Sequence, residues 1–339
     1  MERDQVFGTT PAGEPVRRIT IEAGGLTASI LSCGAILQDL RLDGHDAPLT
    51  LGFDRFQDYV DHPNYFGAVV GRHANRIRDG RFTIAGVDYQ IDPERPDLHG
   101  LHGGRNGFGR RNWSISGYGE DFVALSLTDH DGEMGFPGRV EAHCTYRLRA
   151  PGILSVEMNA TTDQPTLCNL AHHAYFNLDD GGSGDTLSHQ LRIAADGYLP
   201  VDDELIPTGL VQPVDGTEFD FRTARTIRPA PDAAPIHYDH NFCLSSARHA
   251  LKQAAWAKGP ASGVELEVWT TEPGLQFYAG HYIEEGLRGI EGRSYGPFSG
   301  FCLEAQTWPD SPHRPYFPQA LLRPDEVYRH ITEFRFHRG

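Results

Sequence analysis

The segment Val140-Glu-Ala-His-Cys-Thr-Tyr146 decides the fold class, because apolar and polar side chains alternate along it. In an extended chain, Val140, Ala142, Cys144 and Tyr146 share one face, and the residues between them share the other. The segment therefore predicts a strand with one face in the core. The pattern recurs, between turns rich in Gly, Pro or Asp, at residues 18–22, 123–127, 153–158 and 264–270.

Helical patterns are scarce in the rest of the chain. Residues 245–258 have Ala-rich spacing that predicts a short helix, and residues 54–59 predict a helical turn. No internal repeat, charge block or change of composition divides the sequence. We therefore expect an all-β protein with few short helices, folded as one large antiparallel β-sandwich, with residues 1–339 in a single domain.

Composition excludes several classes of function. The 30 basic residues against 46 acidic residues give a net charge of −16, which disfavours nucleic acid or an anionic membrane as a partner. The five cysteines are odd in number and scattered, so a disulfide framework is not expected. The first residues contain no apolar leader, and no stretch has the roughly 18 apolar residues of a membrane-spanning helix. We expect a soluble, cytoplasmic protein.

Two segments carry residues suited to chemistry. Residues 168–178 include His172 and His173, which in a strand point to opposite faces and so do not form a metal site together. Each histidine alone is more simply a structural residue. Residues 301–309 place Glu304 inside an apolar run, where burial raises the pKa of a carboxyl unless partners compensate. Glu304 is then either the partner of an arginine or a general base.

Polar and aromatic clusters elsewhere suit a ligand with many hydroxyl groups. Residues 72–77 and 238–242 are dense in groups that bind in a bidentate manner, although either can be a solvated turn. Tyr175, Phe277, Tyr278 and Trp308 can form a stacking wall for a sugar ring, or they can be core residues. The residues alone leave these alternatives open.

Taken together and in order, these segments resemble the aldose 1-epimerase (galactose mutarotase) family, from about Phe7 to Phe336. Five pieces carry the resemblance: Gly71-Arg-His-Ala-Asn-Arg-Ile77; Leu101-His-Gly-Gly104 followed by Gly107-Phe108; Asn169 to Leu178; Tyr198-Leu-Pro-Val-Asp-Asp-Glu-Leu-Ile-Pro-Thr-Gly209; and Gly300-Phe-Cys-Leu-Glu-Ala-Gln-Thr-Trp-Pro-Asp310.

The resemblance implies a large β-sandwich of the galactose mutarotase type with a sugar cleft on a concave sheet. By position, His173 matches the general acid of the family and Glu304 its general base. The positions implied to hold the sugar or support the pair are Asn75, Arg76, His102, Asp239 and Gln276, and we expect Tyr175 to join them as a stacking ring. Three positions depart from the family pattern, namely His172, Ala174 and His281, and they bear on sugar preference more than on reaction type.

The implied reaction interconverts the α and β anomers of free aldoses such as galactose or glucose by ring opening and closure. It requires an acid and a base on either side of the anomeric centre, a charged His173 held by a nearby carboxylate, and no metal or organic cofactor. The alternatives are a hexose-6-phosphate 1-epimerase that uses Arg105, Arg110 and Arg111, and a non-catalytic carbohydrate-binding protein. The sequence is compatible with a monomer or a homodimer.

Overall fold

The computed structural model describes residues 3–92, 99–230 and 232–338. The strands of these residues, in chain order, are β1 Asp4–Thr9, β2 Pro15–Ala23, β3 Leu26–Leu31, β4 Leu37–Leu42, β5 Ala68–Val70, β6 Arg76–Ile77, β7 Arg81–Ile84, β8 Val87–Gln90, β9 Gly100–Leu101, β10 Ser114–Tyr118, β11 Phe122–Asp129, β12 Val140–Arg149, β13 Ile153–Thr162, β14 Thr166–Leu167, β15 Ala171–His173, β16 Tyr175–Phe176, β17 Gln190–Ile193, β18 Gly197–Tyr198, β19 Gln212–Pro213, β20 Arg225–Thr226, β21 Asp239–Cys243, β22 Lys252–Lys258, β23 Val264–Thr270, β24 Gly274–Tyr278, β25 Leu287–Arg288, β26 Ser294–Tyr295, β27 Phe301–Gln306, β28 Leu321–Leu322 and β29 Tyr328–Arg338. The helices are α1 Phe56–Asp61 and single 3-10 turns at Arg78–Gly80, Phe108–Arg110, Glu133–Gly135, Ile290–Gly292 and Ser311–His313.

Three antiparallel sheets make up most of the protein. The largest has nine strands in the order β10-β11-β12-β13-β29-β23-β22-β17-β20, and the second has six in the order β16-β27-β24-β21-β18-β19. A four-stranded meander, β1 to β4, forms the third. The expected all-β antiparallel architecture is confirmed, and every strand run predicted from alternation lies within a strand.

The sandwich arises because alternation buries one face of each large sheet in a shared core. In β12, Val140, Ala142, Cys144 and Tyr146 are all buried, as the sequence predicts. They belong to the same hydrophobic cluster as side chains of the six-stranded sheet. Those side chains are Leu275, Phe277, Phe301, Leu303 and Ala305.

The opposite face of the six-stranded sheet carries polar residues. In β27 the core residues Leu303 and Ala305 alternate with Glu304 and Gln306, and in β24 Gln276 lies between Leu275 and Phe277. Since successive side chains in a strand point to opposite faces, Glu304 and Gln276 leave the core and face the cleft side. The fold thus determines which residues are available to a ligand.

One helix prediction is wrong and one is confirmed. Residues 252–258 form strand β22, paired with β17 and β23, instead of continuing a helix from residue 245. A register shift between Gln253 and Ala255 breaks the alternation, and tertiary pairing outweighs the helix propensity of alanine. The helical turn expected at residues 54–59 occurs two residues further along, as α1. In the part of the chain described, no helix is long and apolar enough to cross a membrane.

Candidate active site

A cleft of about 200 Å³ opens beside the six-stranded sheet. Five of the six residues expected to bind the sugar line it together with His173 and Glu304, whereas the sixth, Gln276, does not line it. The side chains that line the cleft are Pro63, Asn64, Tyr65, Asn75, Arg76, Leu101, His102, His173, Tyr175, Asp239, Tyr278, Tyr282 and Glu304. Residues distant in sequence are therefore brought to one place.

Of the eight predicted residues, seven line the cleft in all, and these include both His173 and Glu304. The eighth, Gln276, lies behind Asp239 and donates a hydrogen bond from Nε2 to Asp239 Oδ1 at 2.7 Å. Asp239 in turn lies 3.8 Å from Arg76 Nη1. Gln276 therefore supports Asp239 in the sugar-free protein, and it is Asp239 and Arg76 that face the cleft.

The centre of the cleft is the contact between His173 and Glu304. His173 Nε2 lies 3.5 Å from Glu304 Oε2, and both residues are buried. Glu304 Oε2 accepts no hydrogen bond from any residue that the structure describes. No arginine within these residues forms an ion pair with Glu304, so the arginine-partner interpretation is wrong.

The two groups are neighbours and do not face each other across a sugar ring. We expected the acid and the base on either side of the anomeric centre, but a 3.5 Å contact leaves no room for a pyranose between them. The C1 hydroxyl and the ring oxygen are both bonded to C1, so adjacent groups on one wall can reach both oxygens. The geometry thus remains suited to acid-base chemistry at an anomeric carbon.

Burial determines the protonation of the pair. It lowers the pKa of His173 to about 4, and the opposing effect of Asp239 is smaller. Burial also raises the pKa of Glu304 well above its usual range, the charge of Asp239 raises it further, and Arg76 lowers it. In the sugar-free protein the imidazole is therefore neutral at neutral pH, contrary to the expected charged His173, and burial favours the protonated form of the Glu304 carboxyl.

His102 is held by the turn that carries Asn75. Its Nδ1 accepts a hydrogen bond from the Asn75 backbone N–H at 3.2 Å, and its backbone N–H donates to the Asn75 carbonyl at 3.1 Å. Burial lowers the pKa of His102 well below its usual value, so the ring is neutral. With Nδ1 as acceptor, the proton is on Nε2, which makes His102 a hydrogen-bond donor at that atom.

Aromatic rings complete the walls of the cleft. Tyr175 stacks on His173 with ring centroids 5.1 Å apart, and its hydroxyl donates to the Asn64 carbonyl at 2.9 Å. Tyr65 and Tyr282 also line the cleft, and sequence patterns gave no signal for either. Of the four aromatic residues expected as a stacking wall, Tyr175 and Tyr278 are in place. The other two, Phe277 and Trp308, pack elsewhere in the interior.

Three potential metal ligands also meet in the cleft. The ligand atoms of His102, His173 and Glu304 all lie within 4.8 Å of one another. His172 is not part of this group, because it packs between Tyr146 and Phe334 in the core. The same combination of imidazoles and a carboxylate serves proton transfer, which requires no metal.

Comparison with known proteins agrees with this geometry. Residues 17–335 match the family described as aldose 1-epimerase. The chain belongs to the aldose 1-epimerase family. It is 42% identical to a galactose mutarotase of Rattus norvegicus over 98% of this chain and 97% of the relative. It is 37% identical to an aldose 1-epimerase of Escherichia coli, with 96% of each chain covered.

Solved structures of aldose 1-epimerase family members have the same fold. The chain superimposes on an aldose epimerase homologue of C. elegans with a TM-score of 0.87 at 30% identity, covering 95% of this chain and 98% of the other. A galactose 1-epimerase of Lactobacillus acidophilus gives a TM-score of 0.85 at 27% identity, covering 99% and 98%. The predicted β-sandwich of the galactose mutarotase type is thereby confirmed.

The departures from the aldose 1-epimerase pattern lie outside the cleft lining. His172 is a core residue, and neither of its ring nitrogens has a hydrogen-bond partner among the described residues. Ala174 is buried in the main core cluster. His281 stacks on His237 with ring centroids 4.4 Å apart. None of the three replaces a group that lines the cleft.

Proposed function

We propose that the protein interconverts the α and β anomers of a free aldose, such as galactose or glucose, with His173 and Glu304 as the acid-base pair. The observation that carries the proposal is the 3.5 Å contact between His173 Nε2 and Glu304 Oε2 in a cleft lined by polar and aromatic groups. Membership of the aldose 1-epimerase family supports the reaction type. The protein is accordingly an isomerase.

Ring opening needs two proton transfers. Glu304, as the carboxylate, takes the proton of the C1 hydroxyl, and His173, as the imidazolium, gives a proton to the ring oxygen while the bond from C1 to that oxygen breaks. Rotation about the bond from C1 to C2 then presents the other face of the aldehyde, and the two transfers run in reverse on closure. Each positioned group contributes about 10²- to 10⁴-fold, which corresponds to about 2.7 to 5.4 kcal/mol of barrier.

The reactive form of the pair differs from its resting form by the position of one proton. Burial favours the proton on Glu304 in the resting pair, whereas the proposed reaction starts from an imidazolium beside a carboxylate. Both forms hold the same number of protons, so transfer from Oε2 to Nε2 interconverts them without a change in the net charge of the pair. Arg76 opposes the rise in the pKa of Glu304 and so favours the reactive form.

The remaining residues of the cleft would bind the sugar hydroxyls. Asp239 and Arg76 offer a carboxylate and a guanidinium, His102 offers a donor, and Tyr175 offers its ring face, because its hydroxyl is already bonded to Asn64. Asn75 supports the turn, since its Oδ1 accepts from the Arg76 N–H at 2.8 Å. We also propose that the described residues work as one domain.

The two alternatives are not favoured. Arg105 forms an ion pair with Asp92, and Arg111 forms one with Asp129, so both charges are balanced by carboxylates and are less suited to a sugar phosphate. A protein that only binds carbohydrate has no need of an imidazole in contact with a buried carboxyl.

Polarimetry tests the function. Freshly dissolved α-glucose or α-galactose should reach its equilibrium rotation faster with the protein than without it, and glucose 6-phosphate should show little acceleration. Binding of sugar without acceleration would favour the non-catalytic alternative. Light scattering during gel filtration will distinguish the predicted monomer from the predicted homodimer.

A further inference from the structure

Three buried amide side chains lie behind Asp239, and the proposed reaction gives a role to only one of them. They are Asn241 in β21, Gln276 in β24 and Gln306 in β27. Strand register pairs Asn241 with Gln276, and Gly274 with Gln306, which brings the three onto one face of the sheet. All three are buried.

The amides form a chain of hydrogen bonds that ends at Asp239. Gln306 Nε2 donates to Gln276 Oε1 at 3.4 Å and to Asn241 Oδ1 at 3.3 Å. Gln276 Nε2 donates to Asp239 Oδ1 at 2.7 Å. Because the Gln276 oxygen is engaged by Gln306, its NH₂ group is the end that faces Asp239. With the amide reversed, an oxygen would face the carboxylate and repel it.

The sheet leaves space for this arrangement at Gly274. A Cβ at residue 274 would lie 2.6 Å from Asn241 Oδ1 and 2.8 Å from Trp308 Cδ1, closer than real Cβ contacts. The glycine is therefore required by the space that the Asn241 amide occupies opposite Gln306. A side chain here would displace the acceptor that holds Gln306.

Gln306 is not explained by stability alone. Its Oε1 is buried and has no hydrogen-bond partner among the residues that the structure describes. An unpaired buried oxygen costs free energy, whereas an apolar side chain of the same size would avoid that cost. The atom of Gln306 that forms hydrogen bonds is Nε2, which donates to both Asn241 Oδ1 and Gln276 Oε1.

We propose that Gln306 is a positioning residue that acts through Gln276. It fixes the Gln276 amide so that a donor faces Asp239, and thereby holds the Asp239 carboxylate toward Arg76 and the bound sugar. Gln306 itself does not touch the sugar. The inference rests on the proposed function, because it assigns the residue a part in sugar binding by that same cleft.

Steady-state polarimetry of Gln306 variants tests this role. In Gln306→Met, which keeps the volume and loses the donor, KM should rise about 5- to 30-fold, as expected for weakening a hydrogen bond to a charged group. The kcat value should change less than KM. Gln306→Glu, which keeps size and polarity and lacks the NH₂ group, should also raise KM, and it keeps the test available if the Met variant does not fold. Thr270→Val, at a buried position in the nine-stranded sheet, is the control and should leave KM unchanged.

A double-mutant cycle separates positioning from a general structural effect. In a Gln276→Ala background the link to Asp239 is already absent, so Gln306→Met should add little further increase in KM. If the effects of the two substitutions on KM multiply, Gln306 does not act through Gln276 and the inference is overturned. If the unmodified protein fails to accelerate mutarotation, the proposed function is overturned as well, which is a distinct result.

Discussion

Replacement of Glu304 by glutamine is the sharpest perturbation of the proposed chemistry. Glutamine keeps the shape of the side chain and resembles the protonated carboxyl, but it cannot accept the proton of the C1 hydroxyl. Removal of one positioned base costs about 10²- to 10⁴-fold in rate, which is about 2.7 to 5.4 kcal/mol of barrier. We therefore expect kcat to fall by that factor, with a smaller change in KM.

The same substitution should leave the fold intact or strengthen it. Burial raises the folded-state pKa of Glu304 above its usual 4.5, so the folded protein binds this proton more tightly than the unfolded chain. Its contribution to stability is present at acid pH and is lost as pH rises toward the raised pKa. Glutamine does not titrate, so the stability of Glu304→Gln relative to the unmodified protein should increase with pH over that window.

The assay is the decay of optical rotation of fresh α-galactose, with the uncatalysed rate subtracted, together with thermal unfolding followed by circular dichroism. Glu272→Gln is a matched control, since Glu272 is also buried but pairs with Arg248 instead of lining the cleft. This control should lose stability and keep its kcat. A folded Glu304→Gln protein with nearly unchanged kcat would refute the role of Glu304 as the base.

Three further predictions follow from individual residues. The pH profile of kcat/KM should be bell-shaped. Its acid limb should lie near pH 4, where His173 titrates, and its alkaline limb, set by Glu304, should lie well above pH 4.5. An acid limb near pH 6.5 would contradict the effect of burial on the pKa of His173. Asp239→Ala should raise KM about 10- to 100-fold and lower kcat less, because a hydrogen-bonding charge is lost from the cleft, and separate measurement of KM and kcat checks this. Arg72→Met should lower the free energy of unfolding by about 3 to 5 kcal/mol, because Arg72 is buried and its Nε donates a hydrogen bond to Asp129 at 2.7 Å. Chemical denaturation measures this loss, and a change under about 1 kcal/mol would contradict the prediction.

The alternation of apolar and polar residues allowed the strands to be predicted from the sequence. Its interruption in β22 explains why a helix was wrongly predicted over residues 245–258. In β12 every second residue enters the core, so a period of two was visible without the structure. In β22 the register shift near Gln253 interrupts that period, and three alanines within seven residues resemble a helix. The partners that impose the strand, β17 and β23, are distant in the chain and leave no local signal.

The chemistry of the site was only partly predictable. A carboxyl within an apolar run marked Glu304, and opposite faces for His172 and His173 followed from the strand pattern. The contact between His173 and Glu304 depends on how β15 and β27 meet, and the position of the proton depends on how completely the cleft excludes water. Tyr65 and Tyr282 come from loops whose sequences carry no pattern, so only the structure places them at the cleft.

The most direct test is a crystal structure of the protein with galactose bound. We predict that the C1 hydroxyl lies within hydrogen-bonding reach of the Glu304 carboxyl and that the ring oxygen lies within reach of His173 Nε2. A sugar bound in the cleft with its anomeric carbon turned toward solvent, away from both groups, would contradict it.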